Sequence, residues 1–168
     1  MGDTRQSYAP TYSVSKIAQE AVARTMARVL DLPTVIARMN VSYGANGGLP
    51  AIHLDALREG RPIVMRDPGP TPYCPIHEDD ISAQVGALLD TAAVPATVVN
   101  WAGDEVVTAE EWVTELERLT GLHADRQAFP TPHSVVGSVS DNTRRHEIAG
   151  PCRVDWRDGL ARMVAERP

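Results

Sequence analysis

Thr11-Tyr12-Ser13-Val14-Ser15-Lys16 sets a phenol and an ammonium four residues apart, at the head of a stretch that reads as a long helix. Residues at i and i+4 stand one above the other on a helical face, so Tyr12 and Lys16 share a surface. The chain carries 15 arginines and one lysine, and that lysine is Lys16. Lysine is a compact charge whose proton affinity responds to its surroundings, whereas arginine is a planar fork that stays protonated. A chain that uses arginine everywhere else marks position 16 as a place that needs an amine. A phenol of ordinary pKa, about 10, exchanges protons poorly at neutral pH, and a cation one turn away favours its ionised form. Such a pair can pass a proton to or from a carbinol oxygen while a hydride moves. The competing reading is a surface tyrosine beside a solvated lysine.

Outward from this stretch, residues 1–10 are polar and read as a loop, and the helix is expected from about Thr11, its N-cap, to about Leu30. Val14, Ile17, Ala18, Ala21, Val22, Thr25 and Val29 recur at helical spacing and predict its buried stripe, with Tyr12, Lys16 and Glu20 on a different one. Residues 34–39 form a β-branched run expected of a strand covered on both faces of a parallel sheet. Residues 40–48 read as a Gly- and Asn-rich loop. A helix follows from Leu49 to Glu59, stopped at Gly60, and then a strand at 62–65. Pro68, Gly69, Pro70, Pro72 and Pro75 predict a stiff excursion without regular structure over 66–75. Glu78-Asp79-Asp80 opens a helix to about Thr91, its acids favourable against the N-terminal dipole. A buried strand is expected at 96–101, and Thr108-Ala109-Glu110-Glu111 has the form of a capping box starting a helix that ends near Gly121. Arg126 to Phe129 reads as a strand, 130–140 as a loop, and Asn142 to Ala149 and Asp155 to Glu166 as helices. Such alternation predicts an α/β fold with a parallel sheet.

A length of 168 residues suits one domain, which buries roughly 70% of its unfolded surface. The formal charge of -6 and the absence of clustered cations argue against a nucleic-acid partner; Arg144-Arg145 is the one adjacent basic pair. Cys74 and Cys152 fit neither a disulfide framework nor a zinc spacing, so no metal is expected. No apolar run approaches membrane-span length, and the polar start does not read as a signal sequence, so a cytoplasmic protein is expected. His77 reads as a local cap, and His123, His133 and His146 as loop or surface residues. Trp101, Trp112 and Trp156 read as packing. Asp79 and Asp80 are adjacent on a helix and face different ways, so they read as helix-start acids and not as a catalytic pair.

Five short motifs stand in order along the chain: Tyr12-Ser13-Val14-Ser15-Lys16 with Glu20, Arg38-Met39-Asn40-Val41-Ser42-Tyr43-Gly44, Pro75-Ile76-His77-Glu78-Asp79-Asp80-Ile81, Asn100-Trp101-Ala102-Gly103, and Asp155-Trp156-Arg157-Asp158-Gly159-Leu160. Together they resemble the extended short-chain dehydrogenase/reductases, the family of the NAD(P)-dependent epimerases and dehydratases, over nearly the whole chain. The resemblance implies the C-terminal part of a Rossmann-like parallel-sheet domain plus a small substrate-binding α/β subdomain. Residues 1–48 would carry the catalytic helix and a sheet strand, and 49–168 mostly the substrate subdomain with returning sheet elements. Tyr12 would be the general acid/base, and Lys16 would tune it and hydrogen-bond the nicotinamide ribose of NAD or NADP. Backbone groups of Met39, Asn40 and Val41 would meet the carboxamide. Asn40, Leu49, His53 and Tyr73 would wall the pocket of a small carbonyl, alcohol or sugar-like substrate. Pairing through the Tyr12 helix would give a homodimer or self-associating chain.

Two departures from the family pattern matter. The Gly-rich βαβ unit that cradles the cofactor pyrophosphate is absent, as is the upstream Ser or Thr, so the chain is expected to be the C-terminal half of such an enzyme and to bind NAD(P) weakly alone. A substitute phosphate loop at Gly44-Ala45-Asn46-Gly47-Gly48, with Asp67 as ribose acid, misses the usual glycine spacing. In addition, Tyr73-Cys74-Pro75 stands where many nucleotide-sugar enzymes place a diphosphate-clamping arginine, and a phenol cannot replace a bidentate cation. This favours a smaller or less charged substrate. The alternatives are a non-catalytic binding or assembly module derived from the fold, and a redox-independent isomerase using Tyr12 alone.

Overall fold

A computed structural model describes residues 10–130 and 136–167. The loop expected at the start, the centre of the loop expected at 130–140 and His133 therefore fall outside the described residues. In chain order the elements are α1 (Pro10–Leu30), β1 (Val35–Met39), β2 (Ser42–Gly44), β3 (Gly47–Gly48), α2 (Leu49–Arg58), β4 (Ile63–Asp67), β5 (Pro72–Tyr73), β6 (Ile76–His77), α3 (Glu78–Leu89), β7 (Thr97–Trp101), β8 (Val107–Thr108), α4 (Ala109–Thr120), β9 (Arg126–Pro130), α5 (Thr143–Ala149) and α6 (Trp156–Glu166). β1–β7, β2–β6 and β4–β9 pair in parallel, and β2–β3 and β5–β8 antiparallel.

The main core gathers where α2, α4 and α6 meet. Leu54, Leu57, Trp112, Val113, Leu116, Leu160 and Met163 interlock there with Ile63 of β4 and Tyr43 of β2. Each such side chain contributes about 1.5–3 kcal/mol by leaving water. α4 begins as its sequence demands: Thr108 Oγ1 accepts from the Glu111 N–H while Glu111 reaches back to the Thr108 N–H, and the helix ends on left-handed Gly121. α2 closes on a left-handed Gly60, with the Arg61 N–H returning to the Ala56 carbonyl at 2.8 Å. A smaller cluster of Ile76, Leu88, Val99 and Trp101 binds α3 to β6 and β7.

Several expectations are corrected. Of the apolar stripe assigned to α1, Ile17 is half-buried and the rest is exposed, with Val14, Val22 and Val29 at 54%, 61% and 70%, and Ala27, outside that stripe, is the helix's buried hydrophobic. α1 instead turns its half-buried Ile17, Glu20 and Ala23 inward, so Tyr12, Lys16 and Glu20 lie on the face toward β1. β1 is not covered on both faces; among the described residues it pairs with β7 alone, and Ala37 and Met39 are exposed. The loop expected at 40–48 contains β2 and β3. Gly48 is required there, because a Cβ on it would strike the Ser42 carbonyl, and its φ of 103° is left-handed. The excursion over 66–75 is partly regular: β4 runs on to Asp67, and Pro72–Tyr73 pairs with Val107–Thr108. Proline at a strand edge withholds a donor that this short ladder does not need.

Candidate functional site

Tyr12 and Lys16 occupy the first turns of α1, and both side chains are exposed. The Lys16 Nζ lies 5.4 Å from the Tyr12 ring centroid and donates to the Gln19 Oε1 at 3.2 Å. Two clefts of about 340 and 570 Å³ border this pair, each lined by Tyr12, Lys16, Glu20 and Arg38. The larger runs along β1 from Thr34 to Met39. Its far wall is fixed by an ion pair: Arg38 donates from Nε and Nη2 to the two Glu20 oxygens at 2.8 and 2.7 Å. That hydrogen-bonded guanidinium holds the Glu20 carboxyl below its usual range, and the carboxylate raises Arg38 in turn. Sequence reasoning had both residues within its motifs and missed that they join. The signal was the Lys16–Glu20 spacing of four beside a strand carrying an arginine.

Of the three backbone positions expected to meet a cofactor, Met39 lines the larger cleft. Asn40 and Val41 are engaged within the chain. The Asn40 Nδ2 donates to the Ser138 carbonyl at 2.8 Å and to the Ser140 Oγ at 3.1 Å, and its Oδ1 accepts from the Val41 and Cys74 N–H groups. The Val41 carbonyl accepts from the Ile76 N–H at 2.8 Å. Asn40 thus acts as a clamp joining the end of β1 to two later segments.

The expected pocket wall is placed elsewhere. Leu49 packs on the main core. His53 Nδ1 accepts from the Trp112 Nε1–H at 2.9 Å, and burial pushes its pKa down to about 4. The Tyr73 ring lies 5.5 Å from that of Trp112, and burial raises its hydroxyl. His53 and Tyr73 therefore meet each other's neighbour, Trp112, and neither they nor Leu49 line the clefts at Tyr12. Cys74 is also turned inward, at 2% exposure.

The substitute phosphate loop is already filled. Glu78 accepts from the Ala45 and Asn46 N–H groups at 3.1 and 3.3 Å and from the Asn46 Nδ2 at 3.0 Å, so the donors that would cradle a phosphate face a carboxylate. An anion there would meet like charge. His77 caps α3, its Nδ1 accepting from the Asp79 N–H at 3.1 Å, and Trp101, Trp112 and Trp156 are buried. Asp80 does more than open a helix: buried, it accepts from the Arg153 and Val154 N–H groups and ties down the approach to α6. Arg145 is fully buried against Asp104, so Arg144 and Arg145 do not form a basic patch. Among the described residues no three His, Cys, Asp or Glu side chains converge on a metal position, and no helix is long and apolar enough to cross a membrane.

No protein-family profile matches the chain, and neither does any curated protein. Solved structures do match. The UDP-glucuronic acid 4-epimerase from Bacillus cereus, in complex with UDP-glucuronic acid and NAD, superposes with a TM-score of 0.81 at 20% identity, over 95% of this chain and 52% of that one. MoeE5 in complex with UDP-glucose and NAD gives 0.76 at 26% identity, over 95% and 55%. DesIV, a dTDP-glucose 4,6-dehydratase from Streptomyces venezuelae with NAD bound, gives 0.78 at 22%, over 94% and 50%. The chain spans about half the length of each of these solved structures.

Proposed function

We propose, from the premise that this chain has the fold of the C-terminal half of the NAD-dependent epimerases and dehydratases of the extended short-chain dehydrogenase/reductase family, that it is the catalytic and substrate-binding portion of such an enzyme. The observation that carries the reading is the placement of Tyr12 and the sole lysine on one helical face, both open to the same clefts and 5.4 Å apart from amine to ring. Tyr12 serves as general acid/base toward the oxygen of a small carbonyl, alcohol or sugar-like substrate. Lys16 holds a positive charge beside the phenol and donates to a ribose hydroxyl of NAD or NADP.

The dinucleotide, when bound, accepts or supplies the hydride. The described residues suit its nicotinamide–ribose end, where Lys16 and Met39 border the larger cleft. They do not suit its pyrophosphate, because Glu78 fills the Gly-rich turn. The pyrophosphate is accordingly assigned to a Gly-rich half outside this chain. At 73–75 a substrate diphosphate would find a phenol packed on Trp112, a buried thiol and a proline. This supports a substrate less charged than the UDP-sugars in the matched structures.

One observation favours a second reading, an assembly module without catalysis: the exposed valines of α1 form an apolar face without a partner among the described residues. Fusing the N-terminal half of the Bacillus cereus epimerase to this chain separates the two. Hydride transfer that disappears in Tyr12→Phe supports the enzyme. A fused protein that folds, associates and shows no Tyr12-dependent transfer supports the module.

A further inference from the structure

Lys16 has a potential partner of opposite charge on its own helix. Glu20 lies four residues on, the spacing at which lysine and glutamate pair on exposed helices for about 0.2–0.5 kcal/mol. They do not pair. The Lys16 ammonium donates to the neutral Gln19 amide and stands over the Tyr12 ring, and no carboxylate among the described residues lies within ion-pair distance of it. Glu20 is turned across the cleft, with both oxygens taken by Arg38 in a two-pronged contact at 2.8 and 2.7 Å. A Lys16–Glu20 contact would be charge-assisted too, but the planar guanidinium donates to both carboxylate oxygens at once, a match that a compact ammonium does not offer, and it is on Arg38 that both Glu20 oxygens are found.

We infer that Arg38 guards the charge of Lys16: by sequestering Glu20 it keeps the amine from being captured by its own i+4 neighbour, and leaves it directed at Tyr12. Arg38 is a positioning residue that acts through Glu20. Its effect on turnover rests on the proposed role of Lys16, but its effect on the amine does not. Arg24, which also borders the smaller cleft, lies four residues beyond Glu20 and lowers the Glu20 carboxyl further. It therefore competes for the carboxylate once Arg38 is removed.

The single lysine makes the test clean. The isolated chain is acylated with an N-hydroxysuccinimide ester at fixed pH, and conversion at Lys16 is followed by mass spectrometry of the peptide that contains it. Arg38→Leu should slow acylation of Lys16 roughly two-fold, the factor that corresponds to a pairing of about 0.5 kcal/mol. Arg38→Leu with Glu20→Gln should restore the wild-type rate, and Glu20→Gln alone should leave it unchanged. An unchanged rate in Arg38→Leu would show that Arg24 or solvent takes Glu20, and would overturn the inference. So would a double variant that stays slow, since Arg38 would then be only a strut between α1 and β1. If Arg38→Leu fails to fold, Glu20→Gln decides alone: faster acylation there means that Glu20 already restrains the amine. None of these outcomes depends on catalysis, so the guarding role can fail while the Tyr12 reading stands, and the reverse.

Discussion

Tyr12 is held by little except the helix that carries it: it is 62% exposed, and its backbone carbonyl accepts from the Ser15 hydroxyl at 2.7 Å. Substitution should therefore spare the fold, with Tyr12→Phe shifting stability by no more than about 0.5 kcal/mol in chemical denaturation. His53 behaves oppositely, because its role is packing. Its imidazole is kept neutral by burial, with a pKa of about 4 against an ordinary 6.5. Between those values the unfolded chain binds the proton and the folded chain does not, so stability falls as pH drops through that window. The His53 contribution is complete above about pH 6.5 and is lost by about pH 4, about 3.5 kcal/mol at most at roughly 1.4 kcal/mol per unit. His77, also lowered by burial, adds in the same direction. Replacing His53 with Gln, which can still accept from the Trp112 N–H, should flatten that part of the stability–pH curve. An unchanged slope would mean that the ring is solvated.

Elements with strong local chemistry were legible from residue types alone. The capping box at Thr108 and Glu111, the left-handed stops at Gly60 and Gly121, and the end of α1 at Leu30 all stand where their residues put them, whereas α1 already includes Pro10, so Thr11 lies inside the helix and is not its N-cap. Thr108→Ala should cost about 1 kcal/mol by thermal or denaturant unfolding, and a change below a few tenths would mean that tertiary packing alone holds the start of α4. What could not be read was anything decided at long range. β2, β3 and β6 are two or three residues each, too short for a periodic signal; β2 and β6 come together where Val41 and Asn40 bond to segments more than 30 residues away, and β3 folds back on β2 as a local hairpin. The α1 stripe was misassigned for a related reason. The most apolar face of an amphipathic helix is expected to be the buried one, whereas here the inward face carries Glu20 bonded to Arg38 and the valines look outward. Likewise His53 and Tyr73 have the chemistry of pocket residues, and the indole of Trp112 claims both.

On the scale of the molecule, the edge of β1 that is unpaired among the described residues and the outward valines of α1 are surfaces that a partner would cover. The isolated chain should self-associate in light scattering at micromolar concentration. Val22→Glu with Val29→Glu should shift it toward monomer, and a wild-type monomer at all concentrations would remove the apolar face from the account. With Glu78 filling its glycine turn, the chain alone should bind NAD or NADH more weakly than about 10 µM in calorimetry, about 7 kcal/mol on the affinity scale. Tighter binding would mean that a pyrophosphate cradle exists in the chain after all. The most direct measurement of the central claim is single-turnover hydride transfer, followed by nicotinamide absorbance, in the chain fused to a Gly-rich cofactor half. Tyr12→Phe should lower the rate about 10²–10⁴-fold with the fold intact, and a folded Tyr12→Phe variant that transfers hydride at the parent rate would contradict the account.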